Sequence, residues 1–378
     1  MFATAFKFIR FEKAKSTGIL LGIIISIYLI GLELGIFFYL STLVGGIINN
    51  SKPEYSQVFV VNKLANNANI LSPFDRRWVN QLRSIDGVDD THGLVISNIS
   101  VRFENGESAP AMIIGSEYPY LAAGPANNLV SEGNLESLLM QGVVTTEFYD
   151  KKAFGYELAI GSKIEIAGKD ATIGVVTKNA KGFSGPMMYT TDEMARYYSG
   201  FSKDMVSAVI VTVKDNDKIN SVINQINHIA PDLNAWRAEK FKMKTIVTVM
   251  TANNMGMSFG TLVIFAIISG FFIIGLTMYS ATYDRVKDYG TLKAIGATNK
   301  YITWLVVAQS FLYAVVGFSI SLILLFITKM GMSKAGLIIN LSPLFLSFLF
   351  LVTLIIAVAS SFFSVLKLKK LEPSSVFR

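Results

Sequence analysis

Four blocks of this chain, 18–43, 257–279, 302–327 and 344–366, are each apolar over about 18 residues or more. A run that long in hydrocarbon must satisfy its backbone N–H and C=O groups within itself, which a helix does. At 1.5 Å per residue, about 20 residues cross the roughly 30 Å of a bilayer core. The intervening stretch 47–244 has ordinary soluble composition. The expected fold is therefore an α-helical membrane protein with four transmembrane helices and a large α+β extracytoplasmic domain inserted between helices 1 and 2.

Lys7, Arg10, Lys13 and Lys15 precede the first apolar block, as in a secretory signal. The block is longer than a signal core of about 7 to 15 residues, and no small-x-small site follows it cleanly, so it reads as a retained helix. Basic residues near the ends of spans set orientation. They lie before the first span, at Arg285, Lys287, Lys293 and Lys300 between the second and third, and at Lys367, Lys369, Lys370 and Arg378 after the fourth. All three segments are expected to be cytoplasmic. The expected layout is a cytoplasmic amphipathic segment at 1–17, a first transmembrane helix at 18–46 and an extracytoplasmic, periplasmic domain at 47–244, in two interleaved α+β lobes. A stalk and second helix follow at 245–281, a cytoplasmic connector at 282–300 and a third helix at 301–328. A short extracytoplasmic loop takes 329–343, the fourth helix 344–366 and a cytoplasmic tail 367–378.

The net charge of +7 then belongs to the inner face, where anionic headgroups attract it. The bilayer is the partner it implies. No basic, aromatic-interleaved patch supports nucleic-acid binding. Cysteine is absent, so the exported domain has neither disulfides nor thiolate metal sites.

Within that domain 57–61, 93–97, 100–103 and 111–115 read as strands, with an Asn-Gly turn in Glu104-Asn-Gly-Glu107. The segment 75–84 reads as a helix capped by Ser72 or Asp75, with Trp78, Val79 and Leu82 on one face, and Asp86-Gly87-Val88 turns into a strand. A second unit covers 129–153, followed by a hairpin over 161–176 about Gly168. The alternation at 205–213 predicts a strand, and Ile219, Val222, Ile223 and Ile226 fall at helical spacing within 218–229. The segment 241–254 is expected to continue as a helical stalk into the second span.

Gly155 and Gly161-Ser-Lys163 superficially resemble a nucleotide loop, but a P-loop needs lysine directly after its last glycine and Ser or Thr after that. His92 and His228 lie far apart with no Cys or His neighbour, which makes surface or satisfied histidines the expectation over a metal site. Asp86, Asp89 and Asp90 miss the calcium-loop spacing and read as a solvated turn. There is no G-x-S-x-G elbow and no H-E-x-x-H pair. No catalytic, cofactor-binding or metal residue is assigned.

Glu33 sits near the middle of the first span, where an ionised carboxylate costs several kcal/mol, so it is expected to face protein or water. Gly31 and Gly35 flank it as a small-xxx-small face that permits close helix approach. The three mark either a helix interface or a substrate cleft. The structural alternative is a buried hydrogen bond from Glu33 to Thr261, Ser269 or Gln309.

The connector itself runs Asp284, Arg285, then Lys287, Asp288, Tyr289, Gly290, Thr291, Leu292, Lys293, Ala294, Ile295, Gly296 and Ala297. Tyr289, Leu292 and Ile295 are expected to form an apolar ridge ringed by Arg285, Lys287 and Lys293, with Gly296 as a C-terminal stop. Positive-inside topology alone would explain the basic residues as snorkelling side chains. Apolar side chains in a water-exposed loop point instead to docking by another protein.

This connector is similar to that of the FtsX/MacB-type permeases of ABC transporters, the mechanotransmission class, in its basic residue, acidic residue, glycine and Leu-Lys-Ala-Ile-Gly-Ala run. The Tyr-Gly-Thr-Leu-Lys-Ala wording, Gln309 and the tail Leu371-Glu-Pro-Ser-Ser-Val-Phe377 most resemble the DevC-type subgroup, in which the position of Glu33 tends to be polar. Ile85-Asp-Gly-Val88 and the Ile160-Gly-Ser-Lys hairpin ending Ile173-Gly-Val175 resemble landmarks of the family's exported domain. The resemblance implies that 284–297 is a coupling helix docking on a separate cytoplasmic ABC ATPase, present in two copies, which holds ATP and Mg. It also implies a second permease subunit, expected to be identical, a periplasmic membrane-fusion adaptor and an outer-membrane duct. Two other functions share the topology: a lipoprotein-releasing permease, and a non-transporting transducer acting on an extracytoplasmic hydrolase or sensor.

Overall fold

The computed structural model describes residues 13–334 and 336–369. Lys7, Arg10, Lys370, Arg378 and the tail from Leu371 to Phe377 lie outside the described residues. In chain order the helices are α1 Lys13–Val44, α2 Arg77–Arg83, α3 Asp192–Ser199, α4 Ile219–Ile229 and α5 Ala238–Ala252, then α6 Met255–Asp284, α7 Val286–Ala294, α8 Asn299–Lys334, α9 Pro343–Ser360 and α10 Phe362–Lys369. Single turns of helix occur at Gly46–Asn49 and Lys151–Phe154. The strands are β1 Val58–Asn62, β2 Phe74–Asp75, β3 Val88–Arg102, β4 Ser108–Ser116, β5 Val130–Gly133 and β6 Val143–Glu147. They continue with β7 Lys163–Ile166, β8 Lys169–Thr177, β9 Met187–Thr191, β10 Met205–Val206, β11 Ala208–Val213 and β12 Leu233–Arg237. The chain divides into two compact units: 1–39, 256–333 and 337–378 form one, and Leu40–Met255 with Lys334–Gly336 the other.

In the first unit, four helices among the described residues are long and apolar enough to cross a membrane: Ser16–Val44, Met255–Asp284, Asn299–Lys334 and Pro343–Leu366. Each sorts its side chains by helical spacing. Ile19, Ile23, Ile27 and Ile30 of α1 are buried, while Leu21, Ile25 and Leu29 are exposed. On α6, Ala266, Gly270, Ile274 and Met278 face inward, and Ile264, Ile268, Phe272 and Leu276 face out. The outward rows suit lipid tails, which are as apolar as the side chains, so close packing and polar contacts hold the helices together. Polar contacts are present: Tyr28 Oη lies 3.0 Å from Thr328 Oγ1, and Ser321 Oγ donates to the Ile24 carbonyl at 3.1 Å.

In the second unit, ten strands among the described residues join one hydrogen-bonded sheet network. Its spine is β3, a single 15-residue strand where the sequence predicts two. Its first half pairs antiparallel with β11, and its second half pairs with β4, from Leu94↔Ser116 to Arg102↔Ser108. The Asn-Gly turn between β3 and β4 forms as expected: Gly106 takes φ +85° and the Glu107 N–H donates to Asn105 Oδ1 at 3.0 Å. Antiparallel β12–β1–β11 completes one flank. On the other, β9 runs parallel to β4 and β6 parallel to β8.

Val58 and Val60 of β1 pack with Val79 and Leu82 of α2 and Val222 and Ile226 of α4. Phe59 and Val61 point to the opposite face, against Ile210 and Phe241. Both faces of β1 are buried, which is why it reads as an unbroken apolar run. A further core joins Val95, Val101 and Ile113 to Ala195 and Tyr198 of α3. Three large apolar clusters thus share one sheet network.

Other boundaries shift for local reasons. The expected helix over 75–84 starts at Arg77, because Asp75 pairs with Met205 across β2–β10 while its Oδ1 accepts the Arg77 N–H at 2.8 Å. The strand over 205–213 breaks at Ser207, whose Oγ receives the Ile96 N–H at 3.0 Å. α5 ends at Ala252 and Asn254 is left-handed, φ +55°, before α6 begins, so α5 and α6 are separate helices.

Candidate functional site

The connector between α6 and α8 is folded, not slack. α7 occupies its middle, and its C-terminus closes with Gly296 at φ +100°, the Gly296 N–H bonded to Lys293 O at 3.0 Å and the Ala297 N–H to Leu292 O at 2.9 Å. This is a Schellman motif: the left-handed residue costs least as glycine, and the two bonds satisfy carbonyls that a helix end leaves open.

The structure corrects the expected ridge. Tyr289 is 1% exposed and belongs to the core of the spanning helices, and Leu292 and Ala297 pack against that core. Ile295 is 76% exposed. Residues spaced by three drift around a helix of 3.6 residues per turn, so Ile295 falls about 120° round the helix from Tyr289. The inner side carries Tyr289, Gly290 and Leu292, and the outer side carries Lys287, Asp288, Thr291, Ala294 and Ile295, with Asp284 exposed at the end of α6. Arg285, at the N-cap, and Lys293 are half-buried between them.

Tyr289 anchors the helix by more than its ring. Its hydroxyl lies 3.4 Å from both Oε1 and Nε2 of Gln309 on α8, a buried polar pair. Burial, opposed by that hydrogen bond, pushes the Tyr289 phenol up to about 12, so it stays protonated and able to donate. The sequence singles out Tyr289 and Gln309 separately, 20 residues apart, and the fold brings them together.

Gly31 and Gly35 form a packing face filled from within the chain. A Cβ on Gly31 would fall 2.7 Å from Leu325 Cδ1 and 3.0 Å from Leu349 Cδ2, and one on Gly35 would fall 2.6 Å from Ile339 Cγ2. Glu33, two residues from each, projects from about the opposite side of the helix and is half-buried. The three do not line one cleft. Thr261 Oγ1 donates to the Met257 carbonyl at 2.7 Å, and Gln309 is paired with Tyr289.

Among the described residues no group of three or more His, Cys, Asp or Glu could hold a metal ion. His92 departs from the expectation of a surface or satisfied histidine. Its side chain is 1% exposed, lies 3.6 Å from Asp90 Oδ2 and 4.0 Å from Glu117 Oε2, and has no hydrogen-bond partner on either nitrogen. Its ring lies against those of Tyr55 and Tyr120.

A MacB-like periplasmic core domain matches residues 16–229, and an FtsX-like permease C-terminal domain matches residues 260–373. A comparison with curated proteins gave no match. Among solved structures, the chain is similar to the extracellular domain of the noncanonic ABC-type transporter YknZ from Gram-positive bacteria, at 17% identity and TM-score 0.35 over 48% of this chain and 99% of that one. It is also similar to the periplasmic region of MacB from Actinobacillus actinomycetemcomitans, at 12% identity and TM-score 0.39 over 52% of this chain and 94% of that one. The first of the two family matches spans more than half the chain. Permeases of this kind are multi-pass membrane proteins that are not enzymes themselves and that work with an ABC ATPase. This chain belongs to the MacB/FtsX-like family of ABC transporter permeases.

Proposed function

We propose that this chain is the permease of an ABC-type exporter in a bacterial inner membrane, with both termini cytoplasmic, and that α7 is the coupling helix on which a separate ATPase pushes. The observation that carries the reading is the division of α7 into two sides. Tyr289 and Leu292 fix it to the spanning helices, and Lys287, Asp288, Thr291, Ala294 and Ile295 are left exposed. A helix anchored on one side moves the helices it is anchored to when it is pushed on the other. An exposed isoleucine flanked by charge fits a groove on a protein, where an ordinary loop would be polar.

The complex would hold two ATPase copies, which bind ATP and Mg, and two copies of this permease. A periplasmic membrane-fusion adaptor and an outer-membrane duct would continue the path, with the strand-rich domain as docking platform. ATP favours one arrangement of such a machine only by binding it more tightly than the other. The DevC-type wording of the connector supports an exporter. The filling of the Gly31 and Gly35 face by Leu325, Leu349 and Ile339 supports a helix interface there over a lipid-substrate cleft.

Affinity purification of the tagged chain from its native membranes, with the associated proteins and lipids identified by mass spectrometry, tests the reading. An ABC ATPase together with an adaptor is expected. An ATPase with lipid-linked protein cargo would replace it with lipoprotein release, and an extracytoplasmic hydrolase without adaptor would replace it with signalling.

A further inference from the structure

Gly336 lies in the turn between α8 and α9, yet the segment Lys334–Gly336 groups with the strand-rich unit. Its backbone is left-handed, φ +81°, and a Cβ there would fall 3.3 Å from Lys181 Nζ and 3.5 Å from both Cβ and O of Tyr149. The seat is shaped for bare backbone.

Lys181 fills that seat. Its ammonium donates to the Gly336 carbonyl at 3.3 Å, stands 3.7 Å from Asp150 Oδ1 and lies 5.4 Å from the centre of the Tyr149 ring. The lysine side chain is 16% exposed and that of Asp150 is 7% exposed. The other end of the residue is fixed as well. The Lys181 carbonyl accepts Asn50 Nδ2 at 3.1 Å, that amide also reaches Tyr189 Oη at 2.9 Å, and a Cβ on Gly46 would meet the same carbonyl at 2.3 Å.

Ordering a lysine side chain costs rotamer freedom, so a lysine held at both ends has to gain contacts that a solvated one lacks. Here the gain is a charge-assisted hydrogen bond to a carbonyl, made beside a buried carboxylate and an aromatic ring. We propose that Lys181 is a clasp that fastens the Gly336 turn to the strand-rich domain, with Asp150 and Tyr149 holding the ammonium in place, so that this turn moves with the domain.

Both measurements of the clasp use the full chain in lipid nanodiscs without any ATPase, so their failure is separate from failure of the transport reading. Hydrogen exchange at the Leu337 amide, which donates to Met332 O at 3.0 Å, should quicken about tenfold in Lys181→Met, with the buried Ala180 and Tyr189 amides unchanged. Unchanged exchange at Leu337 overturns the clasp. Should Lys181→Met loosen the whole domain, Lys181→Arg decides, since it keeps a cationic donor beside Asp150 and Tyr149. Leu337 exchange in Lys181→Arg should return to within about twofold of the parent. Exchange as fast in Lys181→Arg as in Lys181→Met overturns the clasp.

Discussion

The spanning helices and the strand-rich domain both rely on glycine at their tightest contacts, but different things press against it. In the helices, the atoms that would meet a new Cβ belong to side chains: Ile273 at Gly22, Leu325 at Gly31, Ile339 at Gly35, Ser26 at Gly270 and Ile23 at Gly317. In the domain side chains press on some glycines, such as Val143 on Gly174 and Met187 on Gly182, but others meet backbone: Lys181 O at Gly46, Asn50 O at Gly124 and Gly174 O at Gly133. A side chain can change rotamer to make room, whereas a backbone carbonyl held in a hydrogen-bonded network cannot. The helices therefore have compliant contacts, suited to small shifts against one another, and the domain has fixed ones, suited to moving as a unit.

The largest effect expected from this contrast is at Gly124. Its φ is +103° and the new Cβ would lie 2.2 Å from a carbonyl oxygen, so Gly124→Ala should cost about 4 kcal/mol, combining backbone strain with overpacking. Gly31→Ala, which needs only Leu325 and Leu349 to give way, should cost about 1 kcal/mol. Chemical denaturation of each variant beside the parent measures both. Equal costs would break the contrast.

The domain should also respond to pH. Burial raises the pKa of Asp150 from 3.8 to about 7, with Lys181 opposing the rise and Glu147 adding to it. A carboxyl that is protonated in the fold and ionised in the unfolded chain favours folding below about pH 4 and loses that advantage as pH climbs to about 7. Glu147, raised chiefly by burial, acts in the same direction. Asp150→Asn should therefore be the more stable protein at pH 8, by roughly 4 kcal/mol at most, with a flatter profile between pH 4 and 7. A parent whose stability rose over that range in step with the variant would contradict this.

Buried polar groups sharpen the contrast at smaller scale. Ser310, Ser321 and Thr353 in the helices donate to carbonyls four residues back, at 3.1, 2.8 and 2.7 Å. His92 in the domain has no such bond. Replacing it with Leu should stabilise the domain by about 1 kcal/mol, since an unsatisfied buried polar group is a net cost. A loss of more than that in thermal unfolding would mean that the Tyr55 and Tyr120 ring contacts outweigh the missing hydrogen bonds.

Much of this was legible in the sequence, where length and composition were enough. The four apolar blocks specify spanning helices because hydrocarbon leaves the backbone no other partner. The Asn-Gly turn at Gly106 and the stop at Gly296 follow from residues that tolerate positive φ. Three things escaped, each for a physical reason. The continuity of β3 depends on a change of partner midway along it, which alternation does not encode. The sides of α7 were misassigned because Tyr289, Leu292 and Ile295 look like a row only if the drift of a three-residue spacing is ignored. Lys181 carried no signal at all, because its partner lies 155 residues away.

A coupling role for α7 requires that it be held from within and pushed from outside. Ile295→Asp alters only the outer side, and ATPase retained by the tagged permease after purification from native membranes reads the effect directly. Retention should fall at least about tenfold, the scale of losing one buried interface anchor, while the thermal stability of the permease stays that of the parent. Retention at the parent level, with Ile295 replaced and the fold intact, would contradict it.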